Sequence, residues 1–359
     1  MKMKSFKLHR YFGILLIFIL CATSGNAQKT ERTIEKTFPI NPDGKLTLDN
    51  SYGNLTLNQW DKNEVHIRVN ISVEGSDRDR QEDVLENISI NFNHSPESVS
   101  AQTNLKTESA WWQKWNLFKR NNLNYSIDYY VQLPKTIAVD LNNDYGRIFL
   151  DELEGAATIR CDYGSIDIGR LEHSDNRINL QYAPNSTIDY INAGSIEADY
   201  SGLIVEAAQN IDLNTDYSKN TFKSIHTLNF NADYGSLTLG EVHQIIGNGD
   251  YVSIKIETLS KKADLTVDYG GLKISNIQPS TEHIRIDSDY AGIKLTADDN
   301  WSFQFSIATQ YSGFKTDFHL EYRKKIIESN NRFYQGQHRE GLHQLDISSE
   351  YGAVKLYQN

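Results

Sequence analysis

A tyrosine-centred motif recurs every 17 to 21 residues between positions 145 and 311, and it constrains the fold of this chain more than any other feature. Each copy has an acid or amide, the tyrosine, a small residue, and then apolar residues that alternate with polar ones. Fixed spacing of this length indicates a solenoid, in which each copy forms one coil of a stack. The copies are centred on Tyr145, Tyr163, Tyr182, Tyr200, Tyr217, Tyr234, Tyr251, Tyr269, Tyr290 and Tyr311, with further copies at Tyr52 and Tyr351.

The residues before each tyrosine alternate with a period of two. Apolar residues lie six and four positions earlier, as at Val139 and Leu141, and a small residue such as Cys161 lies two positions earlier. This period predicts a strand with those side chains on one face. The tyrosine has the same parity, so we predict that the tyrosines from Tyr145 to Tyr351 point inward as a structural ladder within the core.

The alternation changes phase after the small residue, and a second short strand begins, as at Ile148 and Leu150. The change marks a corner, where glycine suits the backbone angles. Parallel crossovers between strands of one sheet are overwhelmingly right-handed. The predicted fold is therefore all-β, a right-handed single-stranded β-helix (β-solenoid) with coils of about 17–21 residues.

The chain divides into a signal peptide, residues 1–27, and a single β-solenoid domain, residues 28–359. The first segment has a basic start, an apolar run from Tyr11 to Ala22 and small residues before Gln28. Cys21 raises the alternative of a lipid-anchored protein, but the residues before it are too bulky for that processing. Within the domain we predict a non-repeat strand and helix block at about 64–135 and a charged loop or hairpin at about 318–342 that shields the carboxy-terminal edge. Ser76 is the predicted cap of the helix in that block.

Composition narrows the range of partners. The formal charge is −11, and removing the four basic residues of the signal peptide leaves 32 basic against 47 acidic residues, or −15. So acidic a chain disfavours nucleic acid and anionic lipid as partners. Cys161 is the one cysteine left after processing, which rules out an internal disulfide. The sequence has no second long apolar stretch, so we predict no integral membrane span after processing.

The order of these blocks resembles a known family. The early segment SYGNLTLNQWDKNEVHIRVNISVEG, an acid-rich helix, a Trp/Arg segment and YYVQLPKTIAVDLNNDYGRIFLDELEG precede the repeated coils. This arrangement is similar to the "putative adhesin" family of exported bacterial β-solenoid proteins, and the similarity covers nearly all of residues 28–359. The resemblance implies an exported single-domain β-helix of unknown biochemical role, and it implies no catalytic residues.

The acids beside the tyrosines form the first candidate site. Their parity is opposite to that of the inward residues, so we expect an outward row in which each carboxylate caps a turn by accepting a backbone N–H. The alternative is a calcium-binding stripe, because stacked carboxylates supply oxygen ligands. We expect no cofactor, with calcium as that alternative. The row comprises Asp144, Asp162, Asp199, Asp216, Asp233, Asp250, Asp268 and Asp289.

Two further groups of side chains are candidates. Trp111, Trp112, Trp115 and Phe118 form a partner-binding surface if they are exposed, whereas they cover the open end of the core if they are buried. His226, His243 and His343 each lie eight positions before a motif tyrosine. We interpret these histidines as corner residues, with a bridged metal ion as the alternative.

Three functions fit the sequence. The first is a non-enzymatic exported protein of the cell envelope or surface that binds glycan or an envelope protein through a solenoid face or its end. The alternative is a β-helical polysaccharide-degrading enzyme, which needs clustered acidic and basic groups in a walled groove. The third is a periplasmic scaffold or signalling partner. The evenly spread acids and the short corners favour binding over catalysis.

Overall fold

The computed structural model of the protein describes residues 28–105 and 123–359, which form 23 strands and one helix. The amino-terminal block contains β1 (Gln28–Pro39), β2 (Lys45–Ser51), β3 (Leu55–Gln59), β4 (Glu64–Gly75), α1 (Arg78–Asn87), β5 (Ile88–Ser95), β6 (Ser98–Leu105) and β7 (Asn124–Leu133). The coils contain β8 (Ala138–Asp144), β9 (Arg147–Leu153), β10 (Ala157–Asp162), β11 (Ser165–Leu171), β12 (Asn176–Gln181), β13 (Ser186–Asp199), β14 (Gly202–Asp268), β15 (Gly271–Ile277), β16 (His283–Asp289), β17 (Gly292–Ala297), β18 (Phe303–Gln310) and β19 (Phe314–Thr316). The carboxy-terminal part contains β20 (Glu321–Glu328), β21 (Asn331–His338), β22 (His343–Glu350) and β23 (Val354–Gln358).

Nine of the twelve motif copies have one strand before the tyrosine and another after it, whereas β14 runs continuously through Tyr217, Tyr234 and Tyr251. In the coil of Tyr145 the two strands are β8 and β9, and alternate side chains of both strands point into a shared interior. Leu141 and Leu150 from the two strands are fully buried there. The all-β prediction is confirmed, and the apolar positions before each tyrosine form the core as expected. The right-handed path of the coils stays a prediction.

Successive coils pair in parallel and in register. Leu141 of β8 lies opposite Ile159 of β10, which lies opposite Ile178 of β12. The strands after the tyrosines pair in the same way, with Ile148 of β9 opposite Ile166 of β11. Equivalent residues of successive coils therefore lie above one another, which makes the core continuous along the stack. The backbone groups of each strand form hydrogen bonds to the coils on both sides and hold the stack together.

Small polar side chains two positions before the tyrosines lie inside the coil and form hydrogen bonds to backbone carbonyls at the corners. The buried Asn143 side chain donates to the carbonyl of Gly53 in the next coil, with 2.9 Å between Nδ2 and O, and it accepts a 3.0 Å hydrogen bond from Asn50. The hydroxyl of Ser349 donates to the carbonyl of Gly352 at 2.8 Å. A polar group buried in this position satisfies carbonyls that the strand ladders leave free at the corner.

The last coil of the sequence is not the last coil of the stack. Strand β22 lies between β16 and β18, with Ile347 opposite Ile286 on one side and Ile307 on the other. Strand β23 likewise lies between β17 and β19. The chain thus returns after β21 and inserts its final coil one position inside the end of the stack.

A hairpin closes the carboxy-terminal edge. Strands β20 and β21 pair antiparallel, and β21 also pairs antiparallel with β18 over its whole length. The charged segment that the sequence predicted to be a loop or a hairpin is therefore a hairpin. Tyr334 of the hairpin is buried, and Tyr322 packs edge-on against Phe305 with ring centroids 5.7 Å apart. The hairpin occupies the hydrogen-bonding groups that β18 would otherwise expose.

The amino-terminal block extends both faces of the stack beyond the coil of Tyr52. On one face β7 adds in parallel to β3, and β4 and β1 follow antiparallel. On the other face β6 adds in parallel to β2, and β5 follows antiparallel. The antiparallel strands end the parallel repeat.

Helix α1 packs against β1, β4 and β5. The predicted cap at Ser76 is wrong by one residue, because the Asp77 carboxylate accepts the backbone N–H of Arg80. Val84 and Leu85 lie on the buried side of the helix. This helix, together with the antiparallel strands, covers the amino-terminal end of the described core.

Replacing residues 321–338 by a short Gly-Ser linker should make the protein self-associate. The two ends of this segment are paired in the hairpin, since Glu321 lies opposite Gln337, so a short linker spans the gap. Removal exposes the edge of β18 and Phe305, and an unpaired apolar edge recruits other chains. Size-exclusion chromatography with light scattering measures the outcome. A control that changes only the hairpin turn, Ser329→Gly, should keep the parent's mass, and a monomeric deletion variant would refute the edge-protecting role.

Candidate binding surface

Every motif tyrosine adopts a left-handed backbone conformation. The φ angle is 66° at Tyr52, 57° at Tyr145 and between 50° and 55° at the ten tyrosines from Tyr163 to Tyr351. A bulky residue rarely adopts this conformation, and it costs about 1–2 kcal/mol. The same exception at twelve corners shows that the conformation is part of the coil and not a local accident.

The prediction that the tyrosines point inward is wrong. The side chains of the ladder from Tyr145 to Tyr351 are between 43% and 54% exposed. An inward tyrosine requires the strand alternation to continue through that residue. The left-handed residue instead turns the backbone at that point, so its side chain leaves the body. The predicted ladder residues are Tyr145, Tyr163, Tyr182, Tyr200, Tyr217, Tyr234, Tyr251, Tyr269, Tyr290, Tyr311 and Tyr351, and all lie on the outer surface.

The tyrosine rings stack on one another along the corner edge, and we call this row, with Tyr52, the tyrosine ladder. Neighbouring ring centroids are 4.5–5.2 Å apart and their planes differ by 1–11°. The order follows the sequence from Tyr52 to Tyr290 and then continues through Tyr351 to Tyr311, because the final coil is inserted. Offset stacking of this kind stabilises each pair by about 0.5–1.5 kcal/mol beyond area burial.

Backbone hydrogen bonds join the corners of neighbouring coils at the same positions where the tyrosine rings stack. The N–H of Tyr145 donates to the carbonyl of Asp162, and the N–H of Tyr163 donates to that of Gln181, both at 2.9 Å. The N–H of Tyr290 makes the same bond to Glu350 in the inserted coil. In these coils the backbone carbonyl of the acid or amide therefore accepts a hydrogen bond from the tyrosine N–H of the neighbouring coil.

The ladder exposes ring edges and hydroxyl groups. Each ring covers the faces of its neighbours, so the π faces needed for stacking on a sugar or a base are occupied along the row. The available chemistry is that of phenolic hydroxyls, which donate and accept hydrogen bonds, repeated once per coil.

The acids beside the tyrosines lie on the outward side of the first strand in each coil. The Oδ1 atoms of Asp199 and Asp268 accept the backbone N–H groups of Asp216 and Asp289 in the next coils, at 3.2 and 2.9 Å. These bonds join two coils and do not cap the acid's own turn. The capping role of the other predicted acids stays a prediction. Burial, followed by the charge of Asp144, raises the pKa of Asp162.

Two of the three candidate histidines are neighbours. The rings of His226 and His243 stack with centroids 4.3 Å apart, and Nδ1 of His243 lies 3.1 Å from the Ser260 hydroxyl. Both line an open groove of 350 Å³ with Glu241. Burial, followed by the proximity of His226, lowers the pKa of His243. His343 lies apart from them on β22.

The metal alternatives find no grouped ligands in the described ranges. Across residues 28–105 and 123–359, no three His, Cys, Asp or Glu side chains are gathered in a way that could hold a metal ion. The calcium stripe and the histidine-bridged metal therefore remain expectations from the sequence.

Trp111, Trp112, Trp115 and Phe118 lie outside the described residues. In the same ranges no helix has the length and apolar character of a membrane span.

Sequence reasoning missed a column of lysines. Lys255, Lys273, Lys294, Lys315 and Lys355 each follow a ladder tyrosine by four positions, and all five are exposed. The signal was present in the motif, because the last five copies carry lysine at this place and the earlier ones do not. The lysine is not part of the motif that all copies share, because only five copies have it.

Comparisons with known proteins give structural similarities alone. No family model matches the sequence, and no curated protein matches it. One similar solved structure is described as a putative cell adhesion protein from Clostridium sporogenes, with 11% identity and a TM-score of 0.16, covering 91% of this chain and 100% of that chain.

Two further structures are described as putative adhesins. The one from Parabacteroides merdae has 11% identity and a TM-score of 0.27, and covers 74% of this chain and 92% of its own. The one from Bacteroides fragilis has 9% identity and a TM-score of 0.20, and covers 91% and 97%. At such scores these similarities do not determine what this chain does.

The ladder should make the protein sensitive to alkali. Partial burial, followed by the fields of the neighbouring phenols, raises the pKa of Tyr200, Tyr234, Tyr269 and Tyr351 above the ordinary value of 10.0. The folded chain thus holds these protons more tightly than the unfolded chain. The stabilisation is complete below the unfolded pKa of about 10 and is lost as pH rises through the folded pKa.

Ultraviolet absorbance of phenolate measures this titration, with the denatured chain as reference. The variant Tyr200→Phe/Tyr234→Phe/Tyr269→Phe keeps the rings but removes three titrating groups. The difference between parent and variant should titrate above the denatured midpoint, and the variant's unfolding free energy should fall less steeply with pH. Ladder groups that ionise together with the denatured chain would contradict the expectation.

Proposed function

We propose that this chain is a non-enzymatic protein of the cell envelope or surface, exported by its signal peptide, that binds an extended glycan or an envelope protein along the tyrosine ladder. The observation that carries the proposal is the ladder itself. Twelve stacked tyrosines adopt a strained corner conformation, and eleven of them, from Tyr145 to Tyr351, are exposed. The body on which they stand is proposed to be a right-handed β-helix.

The ladder has the properties of a preorganised binding edge. Its rings are packed against each other, so their side chains lose little further freedom when a partner is bound. Tyrosine combines an apolar ring with a polar group, and such residues dominate many protein interfaces. A hydroxyl at each coil, spaced at about 4.8 Å, suits a partner that is itself linear and repetitive.

The geometry favours binding over cleavage. Glycoside cleavage uses two carboxyl groups with different roles, one on each side of the scissile bond. The aspartates of this row recur once per coil beside the ladder and do not form such a pair across a bound chain. The corners between Tyr145 and Tyr311 carry no long loops, so no walls enclose a polymer over the row. A periplasmic scaffold would use the same edge for a protein partner.

Removing three adjacent ladder hydroxyls should weaken partner binding. The test incubates the mature chain, residues 28–359, with isolated cell-envelope material and with a panel of purified polysaccharides. Tyr234→Phe/Tyr251→Phe/Tyr269→Phe preserves the stacked rings and removes three hydrogen-bonding groups. The affinity should fall about tenfold or more, because each hydrogen bond contributes about 0.5–1.5 kcal/mol. Co-sedimentation measures binding, and a reducing-end assay measures cleavage.

The matched control is Tyr130→Phe/Tyr190→Phe/Tyr322→Phe, which removes three hydroxyls away from the ladder and should bind like the parent. Binding without release of reducing ends supports the proposal. Shortened polysaccharide would establish the enzymatic alternative instead. Equal binding by the ladder variant and the parent would show that the ladder is not the binding edge.

A further inference from the structure

The lysines that follow the ladder tyrosines form a continuous column across five adjacent coils. Lys255 lies opposite Lys273, Lys273 opposite Lys294, Lys294 opposite Lys355, and Lys355 opposite Lys315. With neighbouring strands about 4.8 Å apart, the column is about 19 Å long. Like charges directly opposite each other in a sheet are destabilising, so packing alone does not account for the arrangement.

The lysines are not engaged with acids of this chain. In the described part of the molecule none of the five forms a salt bridge or a side-chain hydrogen bond, and Lys294 is the one that approaches a ring, with Nζ 5.7 Å from the centroid of Tyr357. Glu257 and Asp317 are exposed further along the same strands. A column of unpaired cations on an acidic protein is therefore available to a ligand.

Small residues lie between the lysine column and the tyrosine ladder. They are Ser253, Gly271, Gly292, Ala353 and Gly313, one in each of the five coils. Along a strand they lie about 7 Å from the lysines. The tyrosine rings form one wall of the resulting trough, the lysines form the other, and the small residues form its floor, which the Arg332 guanidinium covers at Gly313.

Two of the floor glycines have no structural reason to be glycine. A Cβ atom added to Gly292 would meet nothing within 4 Å, and one added to Gly271 would meet only the Gly292 carbonyl oxygen at 3.9 Å. Neither residue has a positive φ. Glycine destabilises a strand interior, and no other part of the chain occupies the space beside these two residues. The two glycines therefore keep the floor of the trough open for a bound ligand.

We propose that this trough binds an acidic polysaccharide, a linear glycan with a carboxylate on each or every second sugar. The proposal names the ligand class for the binding edge and so rests on the proposed function. The lysine ammonium groups pair with the carboxylates, and the tyrosine hydroxyls bond to sugar hydroxyls on the opposite side. A pyranose chain is narrow enough to lie on the flat floor, and its repeat is close to the strand spacing.

Other polyanions fit less well. A single-stranded nucleic acid needs free aromatic faces, which the ladder covers, and the net charge of the exported chain repels a highly charged phosphate backbone. An anionic membrane presents a plane of charges, whereas the lysines form a single line flanked by exposed acids. The geometry therefore selects a single extended chain with moderate charge density.

The first test removes charge from the trough. The variant Lys273→Gln/Lys294→Gln/Lys355→Gln is compared with the parent for binding to polygalacturonate and alginate by calorimetry, at low and raised salt. Its affinity should fall about tenfold or more, because each substitution removes a charge-assisted hydrogen bond to a carboxylate. The parent's affinity should decline with salt more steeply than the variant's.

The second test fills the floor. Gly271→Ile/Gly292→Ile should lose polygalacturonate binding while its thermal midpoint stays equal to the parent's or rises, because an added Cβ meets no atom closer than 3.9 Å at either position and β-branched residues favour a strand. For the first test, the control with the same change in charge is Lys36→Gln/Lys324→Gln/Lys325→Gln. These three lysines lie outside the column, so this variant should bind polygalacturonate like the parent.

Uronate binding that is unaffected by both trough variants would overturn the inference, as would equal affinity for neutral amylose. Preferential binding of single-stranded DNA or of anionic vesicles would also overturn it. If ladder hydroxyls govern envelope binding but the trough variants do not, the proposed function stands and the ligand class is wrong. If neither set of variants changes any binding, both proposals fail.

Discussion

The left-handed tyrosine at each corner is the constraint on which the rest of this structure depends. A bulky residue in this conformation costs about 1–2 kcal/mol, and the chain accepts that cost twelve times. The stacked rings, the Tyr N–H bonds to the next coil and the polar groups beneath the corner offset it together. The ring stacking and the Tyr N–H bonds do not exist in a single coil, so the corner is stable only within a stack. The same requirement places the tyrosines outside, where a partner can reach them.

A parallel stack needs its ends covered, and the two ends use different devices. At the amino terminus the antiparallel strands β1, β4 and β5 and helix α1 stop the repeat. At the carboxy terminus the chain passes the end of the stack, forms the hairpin of β20 and β21, and returns to insert its last coil beneath β18. This return places Tyr351 between Tyr290 and Tyr311 and keeps the ladder unbroken. It also aligns Lys355 with Lys294 and Lys315, which completes the lysine column.

Periodicity predicted the parts of the fold that depend on burial. The apolar positions before and after each tyrosine form the core because alternation reports directly on which side chains avoid water. The orientation of the tyrosines could not be read in this way, since it depends on one backbone angle at the corner that leaves no trace in hydrophobic pattern. The inserted final coil was equally hidden, because the extra residues between Tyr311 and Tyr351 fit a loop or hairpin between coils that follow one another in sequence order. The lysine column was visible in the motif, but its meaning required the register that brings five coils together.

The most direct measurement compares glycine and alanine at one ladder position, Tyr217, whose ring stacks within 3° of parallel on both neighbours. Alanine removes both stacking contacts and keeps the left-handed backbone of a residue with a Cβ, whereas glycine removes the contacts and relieves that backbone. By chemical denaturation we expect Tyr217→Ala to lose about 2 kcal/mol and Tyr217→Gly to recover about 1 kcal/mol of that loss. An alanine variant as stable as the parent would contradict the claim that stacked tyrosines hold the corners.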